Sequence, residues 1–495
     1  MCKNCPVAVS RRAFLATAGA AATGALVVGA AGPASASPAP PRLRIRTVYA
    51  LHGETQADPD WPNKGFDFRP VMAAVNAALA RECPEFDFVP TLATGEEQAR
   101  RIAEDDKAGG IATGKPVLYA DFQFGGSGGF LVYTAALLRA HAPNVGFVAS
   151  SRAADLIAAV KCFSIVQKGG PPSEFAAATA RARLERTPAA SAPGCRADTL
   201  DLLPAAECVR RMKESTILAV GGQESGPDGE RMGIQVVRVP FAEVNDAWKA
   251  ADRDESRAVA GRWARAAARV EGVSPETLET SAAMYLGMKS VLARHGAMAI
   301  TVNCLGGFYG GHIHAYPCLG FHELGNEGLV GACECDVRST ATMVAGTLLT
   351  RGRPGYISDP VIDTSTRQIV YAHCVASNRA FGPRGAVNPF EILTHSEDRQ
   401  GASVRSLLPV GYMTTTLEFE ASRKQVLMHR ARAVANDPDD RACRTKLRAE
   451  PVGDIEKLFT MWDEWGWHRV TFYGDLREPV SGLADALGWT VLEEA

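Results

Sequence analysis

The sequence predicts an α/β protein in which two Rossmann-like α/β domains are followed by a C-terminal β-rich domain. In the first two blocks, strand-like segments alternate with helix-like segments of about 10–15 residues, which is typical of parallel sheets with crossover helices. After Gly355 the pattern changes to pairs of alternating segments around short polar turns, which indicates antiparallel hairpins. The chain of 495 residues is long enough for about three domains of ordinary size.

The first α/β block is assigned to residues 37–170. Its predicted elements alternate along the chain, with strands at residues 42–52, 86–92, 116–122 and 145–150 and helices at residues 70–81, 96–105 and 131–141. The glycine-rich segment Gly125–Gly129 follows the third strand and opens a helix. It fits a tight turn, a substrate-facing loop or a nucleotide site, and the absence of G-x-G-x-x-G spacing weakens the last of these.

The second α/β block is assigned to residues 171–350 and the β-rich domain to residues 351–495. In the second block, strands are predicted at residues 215–221, 234–240 and 297–303, and helices at residues 242–270, 275–294 and 327–349. In the last domain, hairpins are predicted at residues 357–374 and 413–434, followed by helices at residues 455–465 and 480–487 that alternate with strands at residues 468–473 and 490–493. The chain is thus expected to return to an α/β pattern at its end.

The first 36 residues have the pattern of an export signal. Arg11 and Arg12 precede Phe14 and Leu15, an Ala- and Gly-rich apolar run follows, and Ala34-Ser35-Ala36 supplies a cleavage site. These features predict a twin-arginine signal peptide and a periplasmic or secreted protein with no stable membrane span after cleavage. A short membrane anchor is the alternative, but the run is weakly hydrophobic for a span, which needs about 20 apolar residues.

Composition excludes several classes of partner. The chain has 53 Lys and Arg against 55 Asp and Glu, a formal net charge of −2. No basic stripe predicts nucleic-acid binding, and no acidic tail predicts an interaction arm. A small molecule is therefore the expected ligand.

The twelve cysteines leave several alternatives open. Cys2 and Cys5 form a C-x-x-C pair, but they lie in the predicted signal. Cys333, Cys335 and Cys374 flank candidate site residues, where they either bind zinc as thiolates or pack as small buried side chains. Their density is far below that of a disulfide scaffold, although a pair such as Cys195 with Cys208 fits an oxidising compartment.

Two carboxylates and two histidines in the last third of the chain form the main candidate site. Glu334 and Asp359 are the acids, and His373 and His468 follow or precede strand-like segments. Carboxylate and imidazole ligands together favour a divalent metal such as Mn²⁺ over an all-thiolate zinc site. Each residue also has a structural alternative: an i,i+4 pair with Arg338 for Glu334, a turn before proline for Asp359, and a core position for either histidine.

A second group of histidines offers a different metal site. His312 and His314 are spaced to point to one face of a strand, with Cys318 and His322 downstream, and could bind zinc in a hydrolase. They could equally line a sugar pocket. His395 lies in a polar segment and is expected to meet solvent or substrate, and Trp467 is a further candidate for substrate contact.

Several segments resemble the fucose isomerase/arabinose isomerase superfamily. They are Val302-Asn303-Cys304, Pro317-Cys318-Leu319, Cys333-Glu334-Cys335-Asp336, Ser358-Asp359-Pro360, Ala372-His373-Cys374 and Trp467-His468-Arg469, with Gly474-Asp475 beyond them. The resemblance is clearest over residues 297–495 and compatible with the earlier blocks. It implies an antiparallel barrel-like C-terminal domain, a homotrimer or homohexamer, and a Mn²⁺-dependent interconversion of an aldose and a ketose. By the same resemblance, Glu334, Asp359 and His468 are the metal ligands, with His373 as a further one.

The chemistry of such a reaction suits these residues. Moving a proton between C2 and C1 of a sugar passes through an ene-diol with charge on two adjacent oxygens. A bound dication can stabilise that charge, while one carboxylate moves the carbon-bound proton and a second balances the oxygen-bound proton. We therefore expect a metal-dependent aldose–ketose isomerase acting on a pentose, hexose or deoxyhexose. An exported zinc-dependent hydrolase and a non-catalytic sugar-binding protein are the alternatives.

Overall fold

A computed structural model describes most of the chain from residue 195 onward and shorter segments before it. The described residues are 43–50, 53–59, 63–82, 86–93, 101, 118–123, 145–149, 195–196, 198–363, 367–440, 442–466 and 468–495. The chain divides into two compact units, residues 1–55 with 67–188 and residues 56–66 with 189–495. The predicted signal peptide, the Gly125–Gly129 segment and Trp467 lie outside the described residues.

The first unit contains a parallel four-stranded sheet. Its described elements are β1 (Leu43–Ala50), α1 (Arg69–Glu82), β2 (Phe86–Ala93), β3 (Leu118–Gln123) and β4 (Val145–Ala149). The strand order is β2-β1-β3-β4, and every pairing is parallel. Strand β1 lies between β2 and β3, so the strand order changes direction at β1.

The second unit begins with a mixed five-stranded sheet and its helices. The elements are α2 (Ala205–Lys213), β5 (Thr216–Val220), β6 (Gly226–Arg231), β7 (Ile234–Val239), α3 (Phe241–Ala250), α4 (Arg253–Ala266), β8 (Arg269–Glu271), α5 (Pro275–Arg294), β9 (Ala299–Val302), α6 (Cys304–Tyr309), α7 (Cys318–Asn326), β10 (Val330–Cys333) and α8 (Val337–Leu349). The sheet order is β10-β9-β5-β7-β6, parallel except for the edge strand β6. Strands β5, β9 and β10 are buried along almost their whole length, as expected for strands covered on both faces, whereas β7 alternates between buried and exposed residues.

The remaining strands of the second unit form a closed barrel and a small sheet. They are β11 (Tyr356–Asp363), β12 (Gln368–His373), β13 (Phe390–Leu393), β14 (Ser403–Ser406), β15 (Met413–Glu420), β16 (Gln425–Asn436), β17 (Thr445–Pro451), β18 (Arg469–Tyr473) and β19 (Thr490–Glu493), with helices α9 (Ile455–Met461) and α10 (Arg477–Leu487). The antiparallel order β15-β18-β11-β12-β17-β16 closes through the pairing of β16 with β15, so the barrel has no free edge. Strand β19 pairs in parallel with the beginning of β16, from Gln425 to Met428. Strand β17 pairs with the rest of β16, from Ala431 onward.

The predicted fold class is wrong. Two Rossmann-like domains are not found among the described residues, since the second unit has one mixed sheet with an antiparallel edge and a separate three-stranded sheet, β14-β13-β8. The expected return to an α/β pattern is also wrong, because β18 is an antiparallel barrel strand between β15 and β11. Hydrophobic periodicity identifies a strand but not its partners, and partners at this sequence distance decide the fold.

Two helix boundaries also differ from the prediction. The single helix predicted at residues 242–270 is two helices, α3 and α4, because Asp252 caps the second one by accepting a hydrogen bond of 2.8 Å from the Glu255 N–H. The helix predicted at residues 327–349 begins only at Val337, since β10 occupies the first part of that range.

Helix α8 connects the two halves of the second unit. It contacts β9 and β10 of the five-stranded sheet and β11, β15 and β18 of the barrel. Most of its residues are buried, and Gly346 faces the fully buried Phe472 on β18. A methyl group at position 346 would overlap the Phe472 ring, so the absence of a side chain permits this close approach.

The described cysteines are all free thiols, and the suggested pair is not formed. Cys195 is exposed, whereas Cys208 is buried and its Sγ lies 3.6 Å from the carbonyl of Ala345. Among the described residues, no helix combines the length and the apolar character that crossing a bilayer requires.

Replacing Gly346 with Ala is expected to destabilise the protein by about 1–3 kcal/mol, because the Phe472 ring cannot move away within a packed core. Gly482 on α10 is the matched control, since a Cβ there meets nothing within 4 Å. Gly482→Ala should stabilise the helix by roughly 0.5–1 kcal/mol. Urea unfolding of both variants measures the two effects, and equal stability of Gly346→Ala and the unchanged protein would contradict the close packing described.

Candidate metal centre

Glu334 lies at the carboxyl end of β10, in a turn of unusual backbone conformation. Strand β10 ends at Cys333, and Glu334 and Cys335 have φ values of 65° and 54°. Two consecutive non-glycine residues in the left-handed region are uncommon and cost free energy, typically at sites where geometry serves function. The turn ends at Asp336, whose carboxylate accepts a hydrogen bond of 2.9 Å from Ser339 N–H and caps α8.

Asp359 and His373 lie on neighbouring strands of the barrel. Asp359 is on β11, where it pairs with Ala372 of β12, so the turn alternative for Asp359 is wrong. His373 is the last residue of β12. Pairing of β11 with β18 ends at Ser358, so the missing N–H of Pro360 removes no hydrogen bond on that side. Both Asp359 and His373 are buried.

His468 comes from the segment that leads into β18. It directly precedes Arg469, the first residue of that strand, and its side chain is buried. Since β18 pairs with β11, the start of β18 lies beside the part of β11 that contains Asp359. The closed barrel therefore brings together residues that are 109 positions apart in the chain, from 359 to 468.

The structure places all four residues of the main candidate site next to one another. His468 Nε2 lies 3.1 Å from Asp359 Oδ1 and 3.4 Å from Glu334 Oε2. His373 Nε2 lies 3.6 Å from Glu334 Oε1 and 3.8 Å from Asp359 Oδ2. One donor atom each from Glu334, His373 and His468 lies within 4.8 Å of the other two.

These residues fit a shared divalent ion. Both ring nitrogens of His373 and Nε2 of His468 are buried without a hydrogen-bond partner, which is costly unless another group occupies the space between them. If metal bonds are about 2.1 Å long, two ligands of an octahedral ion lie roughly 3.0 Å apart when adjacent and about 4.2 Å apart when opposite. The four measured distances fall in that interval. Among the described residues, Glu334, His373 and His468 are the one set of three or more acidic, histidine or cysteine side chains close enough to share an ion. Asp359 lies beside both histidines, and no cysteine belongs to the set.

Asp336 belongs to the site although sequence reasoning did not select it. Its Oδ2 lies 2.9 Å from His468 Nδ1, the nitrogen that faces away from the other carboxylates. A carboxylate at Nδ1 fixes the proton there, leaves Nε2 free for a metal, and holds the ring orientation. The predicted helix at residues 327–349 placed Asp336 in its interior, and the contact of Asp336 with a residue 132 positions away carries no local signature.

The charges of the site perturb its pKa values in opposite directions. Desolvation raises the pKa of Glu334, opposed by His468 and reinforced by Asp359, although 33% of the side chain remains accessible. Burial alone would lower the pKa of His468, but the Asp359 and Glu334 carboxylates outweigh it and raise that pKa well above its ordinary value. Burial alone would raise the pKa of Asp336, but the hydrogen bonds from His468 and Ser339 hold it well below the usual range.

The structural alternative for Glu334 is not observed. Glu334 is not on a helix, and Arg338 instead lies 3.2 Å from Glu418 and 3.3 Å from Glu420. Arg338 therefore lies beside the acidic side chains of β15 rather than pairing with Glu334.

The second group of histidines is not assembled into a metal site among the described residues. His312 is exposed and stacks on Phe241 at 5.6 Å between ring centroids, and His314 is exposed and lies 5.9 Å from Trp248. His322 is buried and uses both ring nitrogens, with the carbonyl of Ala376 at 2.7 Å and Asn326 Nδ2 at 3.2 Å. The histidines expected to form a zinc site thus have separate structural contacts.

His395 was expected to meet solvent or substrate; it is buried, so the solvent alternative is wrong and contact with substrate stays a prediction. Its Nδ1 lies 3.4 Å from Asp398 Oδ1, and its ring packs edge-on to Phe308 at 6.3 Å. It also contacts the thiol of Cys374, the residue after His373. His395 therefore supports the strand end that carries His373.

Replacing Asp336 with Asn is expected to weaken Mn²⁺ binding by about 10–100-fold, the usual effect of removing the partner of a metal-binding histidine. Asn caps a helix as well as Asp does, but its amide would present a donor to the Nδ1–H of His468. Asp252→Asn at the cap of α4 is the matched control and should leave the affinity unchanged. Calorimetric Mn²⁺ titration of each variant tests this, and equal affinities would exclude a role for Asp336.

Mn²⁺ binding is expected to release a proton at neutral pH. Because the carboxylates raise the pKa of His468 in the metal-free protein, its imidazole is protonated at pH 7 and must lose about one proton to bind a cation. Affinity should therefore rise with pH until the pH exceeds the pKa of folded His468. Calorimetry in two buffers of different ionisation enthalpy counts the released protons, and a count of zero would contradict the assignment of His468.

Comparison with known proteins gives one informative similarity. The chain is 26% identical over 215 residues to a sulfoquinovose isomerase from Clostridium sp. (strain MSTE9), which covers 41% of this chain and 46% of that protein. The match thus spans less than half the length of the curated relative. No protein-family model matches the chain. The similarity supports the general class of sugar isomerase for this chain.

Proposed function

We propose that this protein is a metal-dependent aldose–ketose isomerase. The observation that carries the proposal is the convergence of Glu334, Asp359, His373 and His468 on one site, where the Nε2 atoms of both histidines are buried without a hydrogen-bond partner. A dication held by these residues would stabilise the negative charge that develops on two adjacent sugar oxygens. The similarity to a sulfoquinovose isomerase supports the same class of reaction.

The ligand chemistry favours Mn²⁺ or a similar ion. Two carboxylates and two imidazoles provide oxygen and nitrogen donors, and no thiolate belongs to the group. Such mixed donors suit Mn²⁺, whereas thiolate-rich sites select zinc. Four protein ligands leave positions of a six-coordinate ion open for two neighbouring substrate oxygens.

Glu334 is the proposed base for the carbon-bound proton. It is the one member of the four with a third of its side chain accessible, so a substrate can reach its carboxylate. Burial raises the pKa of Glu334 in the metal-free protein, and a bound cation would favour the ionised form that accepts a proton. The left-handed turn that presents Glu334 fixes the carboxylate by backbone geometry rather than by a flexible loop.

Asp359 is proposed to balance the oxygen-bound proton. Its carboxylate is buried between His373 and His468, so it is held in one orientation at the floor of the site. Proton transfer between the sugar hydroxyl and carbonyl oxygens requires a second acid–base group near those oxygens.

The substrate proposed is a pentose, hexose or deoxyhexose, including sulfoquinovose, the sugar that the relative's name specifies. We further propose a periplasmic or secreted location, from the twin-arginine pattern of residues 1–36, and a homotrimer or homohexamer, from the superfamily resemblance. Neither His312 nor His314 has a metal-binding role in this proposal, since each packs on an aromatic ring.

Glu334→Gln is expected to reduce isomerisation by at least about 10²–10⁴-fold, the usual contribution of a positioned base. The measurement is exchange of the sugar C2 proton with ²H₂O, followed by NMR in the presence of Mn²⁺ across aldoses, deoxyhexoses and sulfoquinovose. Because Gln retains the shape of Glu, folding should be unaffected.

Glu391→Gln is the control for that experiment, since Glu391 pairs with Arg269 and Arg405 outside the four-residue site. It should leave exchange unchanged. Exchange that survives Glu334→Gln would exclude Glu334 as the base, and absence of exchange with any sugar, despite sugar-dependent stabilisation, would indicate a binding protein instead.

A further inference from the structure

We propose that Arg469, neutralised by Glu494, is a positioning residue that fixes the backbone of His468 at the metal centre. This inference rests on the proposed function only in taking His468 as a metal ligand. It concerns a buried network inside the barrel that the proposed chemistry does not use.

Arg469 is fully buried and donates hydrogen bonds to the segment that contains His468. Its guanidinium donates to the carbonyl of His468 at 3.0 Å and to that of Gly466 at 3.1 Å. It also donates to the carbonyls of Trp462 at 3.1 Å and Trp465 at 3.3 Å. One side chain therefore holds four carbonyls of the segment that leads into β18.

The segment needs such a support because it lacks regular pairing. The 3-10 turn Trp462–Trp465 ends at Gly466, which has φ 80°, and the ladder of β18 begins only at Arg469. His468 thus has no strand partner of its own. Asp336 holds its ring at Nδ1, and Arg469 holds its carbonyl, so the ring and the backbone of His468 are fixed from two sides.

Glu494 neutralises the buried guanidinium of Arg469. Its Oε2 lies 3.3 Å from Arg469 Nη2 and 3.4 Å from Nε, and both side chains have no exposed surface. An unpaired charge at such a position would be strongly destabilising. Glu494 is itself held by His429, whose Nδ1 lies 2.7 Å from Oε1 and whose Nε2 lies 2.5 Å from the Tyr371 hydroxyl.

The network around Arg469 has a role beyond stabilising the core. Burying an ion pair adds little net stability compared with apolar residues of the same size, so stability alone does not explain it. An apolar side chain at position 469 would leave the four carbonyls without these donors, and the planar guanidinium offers five donors where Lys offers three. The arrangement is suited to holding one irregular segment, and with it one histidine, in a single position.

The test compares Arg469→Lys with Arg353→Lys. Arg353 is a matched control because it is also buried, pairs with Asp198 at 2.5 Å, donates to the Tyr473 carbonyl at 3.0 Å and lies over the Phe381 ring. Arg469 lies over the Trp462 ring in the same manner. Both lysine variants should lower the melting temperature by similar amounts.

The Mn²⁺ dissociation constant, measured from the EPR signal of free Mn²⁺, should separate the two. Arg469→Lys is expected to raise it by at least about 10-fold, as for loss of other groups that orient metal ligands. Arg353→Lys should leave it within a factor of about two, well inside that difference. Glu494→Gln, which keeps the shape of Glu494, should also raise the Mn²⁺ dissociation constant. This variant serves as the test if Arg469→Lys does not fold.

Unchanged Mn²⁺ affinity in folded Arg469→Lys or Glu494→Gln would overturn the inference, as would an equal loss in Arg353→Lys. His468→Ala separates this from failure of the proposed function. If His468→Ala binds Mn²⁺ as tightly as the unchanged protein, His468 is not a ligand and both proposals fail. If His468→Ala loses Mn²⁺ while the Arg469 and Glu494 variants retain it, the metal centre stands and only the positioning role is excluded.

Discussion

The packing of α8 between the five-stranded sheet and the barrel is the constraint on which the site depends. Glu334 belongs to the sheet, at the end of β10, whereas Asp359, His373 and His468 belong to the barrel. Only a fixed distance between the two bodies brings their donor atoms within a few ångströms. Helix α8 sets that distance, because it begins directly after the Glu334 turn and packs on β18 through Gly346. A helix with a larger residue there would hold the sheet farther from His468.

Two sets of polar side chains lie in this interface. The candidate metal ligands form the first set, and Asp336, Ser339 and Glu418 form the second. Ser339 Oγ lies 2.7 Å from Asp336 and 3.1 Å from Glu418, so the hydroxyl connects the two acids. Burial raises the pKa of Glu418 to about 8, against the opposing effect of Arg338, so Glu418 carries a proton at neutral pH. The Ser339 hydroxyl donates to Asp336 over the shorter distance, and this hydrogen bond helps to keep Asp336 ionised beside His468.

Sequence reasoning identified local features and missed those that depend on distant partners. The strands and the residues Glu334, Asp359, His373 and His468 could be selected because their patterns and residue types are local. The family resemblance implied a barrel-like domain, but local patterns could not assign its strand partners, since the pairing of β18 with β11 and β15 joins segments more than fifty residues apart. The conformation at Glu334 was missed because helical periodicity extends across β10, and Asp336 and Arg469 act through contacts that no spacing predicts. His395 was expected to meet solvent or substrate because its neighbours are polar, yet one of those neighbours, Asp398, is its partner in a buried contact.

The central claim is that one ion binds where Glu334, Asp359, His373 and His468 meet. Anomalous diffraction from a crystal of the Mn²⁺-loaded protein, collected above and below the manganese edge, tests it most directly. The account predicts a single strong peak about 2.1–2.4 Å from oxygens of Glu334 and Asp359 and from Nε2 of His468, the range for such metal–ligand bonds. A peak beside His312 and His314 instead, with none among these four residues, would contradict it.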